Sequence, residues 1–138
     1  MSVLLNPYLS FKDNTRQAME FYKTVFGGTL DLNTFEASHM PVGPDEGEMI
    51  MHAQLKADNG VTFMAADTPP SHGVYQSGTN ISMSLSGDDE TVLRGYFEKL
   101  SADGKVNYPL EKAPWGDIFG MLTDQFGINW MVNITAQK

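Results

Sequence analysis

The alternation of hydrophobic and polar positions divides the chain into two similar successions of elements. Residues 3–11 alternate, with Leu9 and Phe11 on one face and Asn6, Tyr8 and Ser10 on the other, which predicts a half-buried strand. Asn14 then opens a predicted helix, with Gln17 three residues later in capping-box position. Its apolar stripe is Ala18, Phe21, Tyr22, Val25 and Phe26, and Gly27-Gly28 stops it, because glycine takes the left-handed conformation without steric cost. Strands are predicted over 29–35, 48–55 and 60–66, the last two joined by a hairpin turn at Asp58-Asn59-Gly60. Residues 37–47, rich in Gly, Pro and acid, form the loop before the second of these strands.

A further loop over 67–78 carries Pro69-Pro70 and two glycines, and the order then begins again. Residues 79–86 alternate, with Ile81, Met83 and Leu85 opposite Asn80, Ser82 and Ser84. Asp88-Asp89-Glu90 places negative charge where a helix dipole favours it. Val92, Leu93, Tyr96, Phe97 and Leu100 form the stripe, Gly104 ends it, and strands are predicted over 105–110, 117–122 and 128–134. Such alternation is common in ordinary α+β domains. Two matching helices, each followed by three strands, nevertheless favour duplication, and setting Asn6 against Asn80 brings Gly28 within about two residues of Gly104. The predicted class is α+β, with two tandem βαβββ modules at about 1–68 and 79–138 in a single domain spanning 1–138, joined by a linker at about 67–78.

Composition narrows the function classes. A net charge of −8 repels phosphate backbones and anionic lipids, and no basic stripe with interleaved aromatics counters it, so neither nucleic acid nor a membrane is an expected partner. The absence of cysteine removes thiol nucleophiles, disulfides and thiolate metal sites. No basic leader opens the chain and no apolar run approaches the roughly 20 residues a membrane helix needs, so a cytoplasmic protein is expected. No G-x-G-x-x-G follows a strand and no G-x-S-x-G elbow is present.

Four segments in order carry a family resemblance. They are Tyr8-Leu-Ser-Phe-Lys-Asp-Asn-Thr-Arg-Gln-Ala-Met-Glu-Phe-Tyr-Lys-Thr-Val-Phe-Gly-Gly28, Met51-His-Ala-Gln-Leu55, Met64-Ala-Ala-Asp67 and Trp115-Gly-Asp-Ile-Phe-Gly-Met-Leu-Thr-Asp-Gln-Phe-Gly-Ile-Asn-Trp130. Together they resemble PhnB-like proteins of the vicinal oxygen chelate superfamily, which includes glyoxalase I, bleomycin-resistance proteins and extradiol dioxygenases. The resemblance implies a curved eight-stranded mixed sheet around a cavity, helices on its convex face, and a homodimer. Leu9, Phe11, Ile81, Met83, Leu85, Trp130 and Val132 would then pack under the helices. Asn6, Tyr8, Ser10, Asn80, Ser82, Asn129 and Met131 would face the cavity. A methyltransferase label sometimes attached to PhnB-like sequences finds no nucleotide-cofactor signature here.

Metal-dependent members of that superfamily place a His, Gln or Glu ligand on the first and last strand of each module. By motif those positions fall at Asn6, Met64, Asn80 and Met131. Two neutral amides and two thioethers are poor ligands for hard cations and for metals that favour imidazole or carboxylate. Sliding the fourth strand by two residues offers Thr62 or Ala66, which are no better, so neither metal nor cofactor is expected. Among the histidines, His39 and His72 fall in loops and read as solvated. His52 shares a face with Ile50 and Gln54, opposite Met49, Met51 and Ala53; it either faces the cavity or is hydrogen-bonded beneath it. Asp117 beside Trp115 is either an acid/base group at the cavity mouth or a solvated carboxylate.

The leading expectation is a metal-independent protein that binds a compact small molecule, with any catalytic activity left open. Asn6, Asn80, His52 and Gln54 would supply hydrogen bonds, and Met64, Met131, Tyr8, Trp115 and Phe119 the apolar walls. The rival is a lyase, isomerase or dioxygenase that recruits a metal through His52 and Glu48. A third reading is a vestigial cavity in a domain that acts through dimer contacts.

Overall fold

The structure is a computed structural model that describes residues 5–57, 59–78 and 80–136. It contains β1 (Tyr8–Phe11), α1 (Thr15–Phe26), β2 (Thr29–Thr34), β3 (Ile50–Lys56) and β4 (Thr62–Asp67), then a 3-10 turn at Pro70–His72. There follow β5 (Met83–Gly87), α2 (Glu90–Ser101), β6 (Lys105–Lys112), β7 (Ile118–Thr123) and β8 (Asn129–Ile134). The βαβββ order predicted from the sequence therefore occurs twice. The chain forms two compact units, residues 1–76 and 77–138. Each holds one four-stranded mixed sheet, ordered β1-β4-β3-β2 in the first and β5-β8-β7-β6 in the second. No helix among the described residues is long and apolar enough to cross a membrane.

In the first module, α1 packs on β2, β3 and β4. Ala18, Met19, Tyr22, Val25 and Phe26 of the helix bury against Phe11, Ala53, Leu55, Phe63 and Ala65 of the sheet. The rings of Tyr22 and Phe26 meet Phe63 edge-on, at centroid distances of 5.5 and 6.1 Å. Met19 takes a core place outside the expected stripe, and Phe21 is only half-buried. In the second module, Leu93, Tyr96, Phe97 and Leu100 of α2 cover a sheet face that contributes Leu122, Trp130, Val132 and Ile134.

The two helices start differently. Asn14 makes no side-chain cap, contrary to the capping-box reading. The cap comes instead from the far end of β4: Asp67 Oδ1 accepts from the Thr15 amide at 2.9 Å, and its Oδ2 accepts from the Ile50 amide at 2.8 Å. Asp67 is buried. In α2 the cap is local, the Val92 amide donating to Asp89 Oδ1 at 3.2 Å.

Strand register corrects three expectations. Tyr8 pairs with Met64 and Ser84 with Met131, so Tyr8 and Ser84 are equivalent, and the counterpart of Asn6 is Ser82 rather than Asn80. The same offset brings Gly28 into coincidence with Gly104. Each lies so close to its neighbouring strand that an added Cβ would collide with a carbonyl oxygen, Lys56 O or Thr123 O. The strand expected over 79–86 begins only at Met83, because β8, its partner, starts at Asn129 and pairs Trp130 with Met83. Ile81 consequently stands 77% exposed instead of packing under a helix. Thirdly, the β2–β3 ladder slips between Asn33 and Thr34, which pair with His52 and Ile50. This bulge turns Ile50 into the core, away from the face of His52 and Gln54 that alternation had assigned to it. The hairpin turn expected at 58–60 is closed by Ala57 N to Val61 O at 2.8 Å, and Gly60 has φ +79°; Asp58 lies outside the described residues.

The 36–47 loop is tied down through Glu46, whose carboxylate accepts from the Gly43 amide at 2.8 Å and from both the amide and the hydroxyl of Ser71. These bonds, chiefly the Ser71 hydroxyl, hold Glu46 below the ordinary carboxylate range. His72, expected to be solvated, donates from Nε2 to Pro41 O at 2.9 Å and sets its ring edge-on to Phe35.

Replacing Asp67 by alanine leaves two buried amides without their acceptor, each worth about 1–3 kcal/mol. Asp67→Ala is expected to lower the unfolding free energy by about 3 kcal/mol in total and Asp67→Asn by about half of that. Urea denaturation followed by circular dichroism measures both. A loss below about 1 kcal/mol for the alanine variant would mean that α1 and the start of β3 are held by other groups.

Candidate functional site

The sheet face opposite the helix carries the candidate residues in each module. In the first, the register places Tyr8, Met64, Gln54 and Asp31 in one row across β1, β4, β3 and β2. His52 and Asn33 pair in the next row. Tyr8 and His52 meet, with the phenol oxygen 3.2 Å from Nδ1 and the ring centroids 5.8 Å apart. Partial burial raises the Tyr8 phenol above its ordinary value of 10.0, so it keeps its proton at neutral pH. Phenol and imidazole can each donate or accept, so the pair holds in either tautomer of His52, and Nε2 is the ring's second polar atom. His52 lies on the sheet face opposite the helix, hydrogen-bonded to Tyr8.

The second module builds a different surface. Trp115 and Phe119 meet at a centroid distance of 5.4 Å and an interplanar angle of 67°. They line a pocket of about 450 Å³ with Tyr108, Met121, Glu111 and Lys112. Two bulges in the β6–β7 ladder aim the pocket. Tyr108 pairs with Met121 and Glu111 with Phe119, although Tyr108 and Glu111 are an odd number of residues apart and an unbroken strand would point them to opposite faces. Pro109 falls at the second bulge of this edge strand, a place where its missing N–H costs no ladder bond.

A polar chain supports Trp115. Its Nε1 donates to Asn133 Oδ1 at 3.3 Å, and Asn133 Nδ2 donates to Asp117 Oδ2 at 3.0 Å. The Ala136 amide donates to Asp117 Oδ1 at 3.0 Å. The Asn133 bond first, then the Ala136 amide, lower the Asp117 pKa below its ordinary 3.8. Asp117 therefore stays ionised at neutral pH and is tied into the polar chain that holds Trp115.

The structure thus brings together Tyr8, His52, Gln54 and Met64 in one module and Trp115 and Phe119 in the other. Met131 lies beside Met121 and Ser84 on the open face of the second sheet. Asn6 and Asn80 fall outside the strands, exposed, ahead of β1 and β5. Sequence reasoning passed over Asn133, Met121, Tyr108 and Glu111. Asn133 continues the alternation of Asn129 and Met131 and was findable; the bulges that aim Tyr108 and Glu111 leave no such periodic signal.

The metal that this arrangement holds elsewhere does not fit these residues. Exposed amides ahead of the strands and thioethers on them are the wrong donors for a hard or borderline divalent cation. Among the described residues, no three His, Asp or Glu side chains gather closely enough to hold an ion. Glu48, which a metal site with His52 would need, lines a polar recess of about 230 Å³ with Asp13, Arg16 and Asp45. His52 is engaged with Tyr8 instead.

Comparison with known proteins agrees with the topology. Residues 4–132 match the model of the Glyoxalase/Bleomycin resistance protein/Dioxygenase superfamily. The chain is 29% identical to Protein YjdN of Escherichia coli, over 97% of each chain. It is 34% identical to the crystal structure of protein PA1353 from Pseudomonas aeruginosa, covering 99% of this chain and all of that one, with a TM-score of 0.84. A Bacillus cereus structure described as a putative 3-demethylubiquinone-9 3-methyltransferase, PhnB protein, shares the fold at 23% identity and a TM-score of 0.75, covering 96% of this chain and 100% of that one.

Because the folded pKa of Asp117 is lowered, its contribution to stability is complete above the unfolded value near 3.8 and is lost as pH falls through the lower folded value. Acid titration of Trp emission is expected to show an early step below that value as Asn133 and then Trp115 loosen. Asp117→Asn should remove this step; an unchanged acid profile would detach Trp115 from the carboxylate.

Proposed function

Since the chain belongs to the glyoxalase/bleomycin resistance protein/dioxygenase superfamily, we propose that it is a metal-independent, PhnB-like protein that binds a small organic molecule. One observation carries this reading. The aromatic pocket of the second module, about 450 Å³ and lined by Tyr108, Trp115, Phe119 and Met121 with a few polar groups, has the size and lining of a small-molecule site. In the first module, His52 Nε2 and the Gln54 amide offer hydrogen bonds beside the apolar Met64 and the ring of Tyr8. A Tyr–His pair beside an amide and a thioether can hydrogen-bond a ligand, which supports the recognition reading.

A thermal-shift screen of compact aromatic and heteroaromatic compounds tests binding, since a ligand of the native state raises the midpoint with occupancy. Trp115→Ala is expected to weaken any hit that quenches Trp emission by about tenfold, the loss of one well-packed aromatic wall. An unchanged affinity would remove the pocket from the site. Elemental analysis of protein purified without chelator should find no stoichiometric Ni, Fe, Mn or Zn; finding one would favour the lyase, isomerase or dioxygenase reading through His52 and Glu48.

We also propose a homodimer. Each four-stranded sheet ends on two edge strands whose unpaired backbone groups favour cover. Sedimentation at micromolar concentration should give twice the chain mass, and a monomer alone would remove the dimer.

A further inference from the structure

The pocket of the second module has a charge preference as well as an apolar lining, an inference that rests on reading this pocket as the small-molecule site. Trp115 and Phe119, set at 67° to one another, present aromatic surface on two sides, and Tyr108 adds a third ring to the lining. Aromatic faces carry the negative part of the ring quadrupole and attract cations that have shed water. Glu111 pairs with Phe119 and so shares its sheet face, placing a carboxylate beside the rings. Lys112 also lines the pocket but pairs with Ile118, one position along, so its side chain leaves the strand from the face opposite Glu111 and Phe119. Asp117, bonded to Asn133 behind the indole, adds a second negative charge close to Trp115. The net charge of −8 adds a long-range field of the same sign.

We propose that this pocket selects organic cations: a quaternary ammonium or protonated amine on a compact, partly apolar body, seated against Trp115, Phe119 and Tyr108 with Glu111 as counter-ion. The bulges that bring Tyr108 and Glu111 to the same face as Phe119 and Met121 are what make the combination possible. Straight pairing along β6 would offer the rings without the carboxylate.

Trp115 is 60% exposed and Trp130 is 1% exposed, so emission quenching reports on Trp115 in the intact chain. Three probes share one ring and differ in charge: benzyltrimethylammonium, benzyl alcohol and benzenesulfonate. The cation is expected to bind about tenfold more tightly than the alcohol, and the sulfonate more weakly than either. Glu111→Gln, an exposed change that should fold normally, is expected to remove most of the cation's advantage and leave the alcohol unchanged. Lys112→Met should increase the advantage. Equal binding of all three probes would overturn charge selection and leave the small-molecule reading standing. Preference for the sulfonate would overturn the proposal in favour of Lys112 as the determinant. No response of Trp115 to any probe, as when a second copy of the chain covers the pocket, would overturn both.

Discussion

Asp67 joins three elements of the first module that are far apart in sequence. Its two carboxyl oxygens take the first amide of α1 and the first amide of β3, while its own backbone ends β4. Without it, two amides would be buried unsatisfied at the point where the helix leaves the sheet. The bulge that turns Ile50 inward and leaves His52 outward lies at the same place, next to the amide that Asp67 holds. The equivalent position in the second module is Ile134, buried and apolar. No carboxylate is needed there, because α2 has a cap of its own in Asp89.

The second module spends its buried carboxyl elsewhere. Asp124 accepts from the amides of Phe126 and Ile128 and from Trp130 Nε1, organising the β7–β8 turn around the largest fully buried side chain of the chain. The corresponding β3–β4 turn in the first module rests on Gly60 at positive φ. Gly127, at φ +87°, holds the same place in the β7–β8 turn, so the two halves share the turn glycine and differ in what is added to it: a distant carboxyl caps the helix of the first, and Asp124 braces the turn of the second.

This division explains what was legible in the sequence. The repeated strand-helix-strand order and most core positions follow from periodicities of two and 3.6, which are local properties, whereas α2 ends at Ser101 and the left-handed residue behind it is Asp103, at φ +57°, not the expected Gly104. Gln17 suggested a cap that is absent because Asp67 holds the helix amide from 52 residues away, a relation no window could contain. The aromatic pair Trp115–Phe119 was visible as composition. Tyr108 and Glu111 were not, because bulges change which face a residue meets without altering its neighbours in sequence. His52 fell on the right face while Ile50 did not, since only one lies beyond the slip in the ladder.

The same asymmetry bears on the open faces. The two faces differ in kind. One is a hydrogen-bonding surface organised by Tyr8 and His52; the other is an aromatic wall steadied from behind by Asn133 and Asp117. Holding an indole by its Nε1 while most of the ring stays exposed has a physical consequence. The ring is pre-oriented, so less of its binding energy is lost in ordering it.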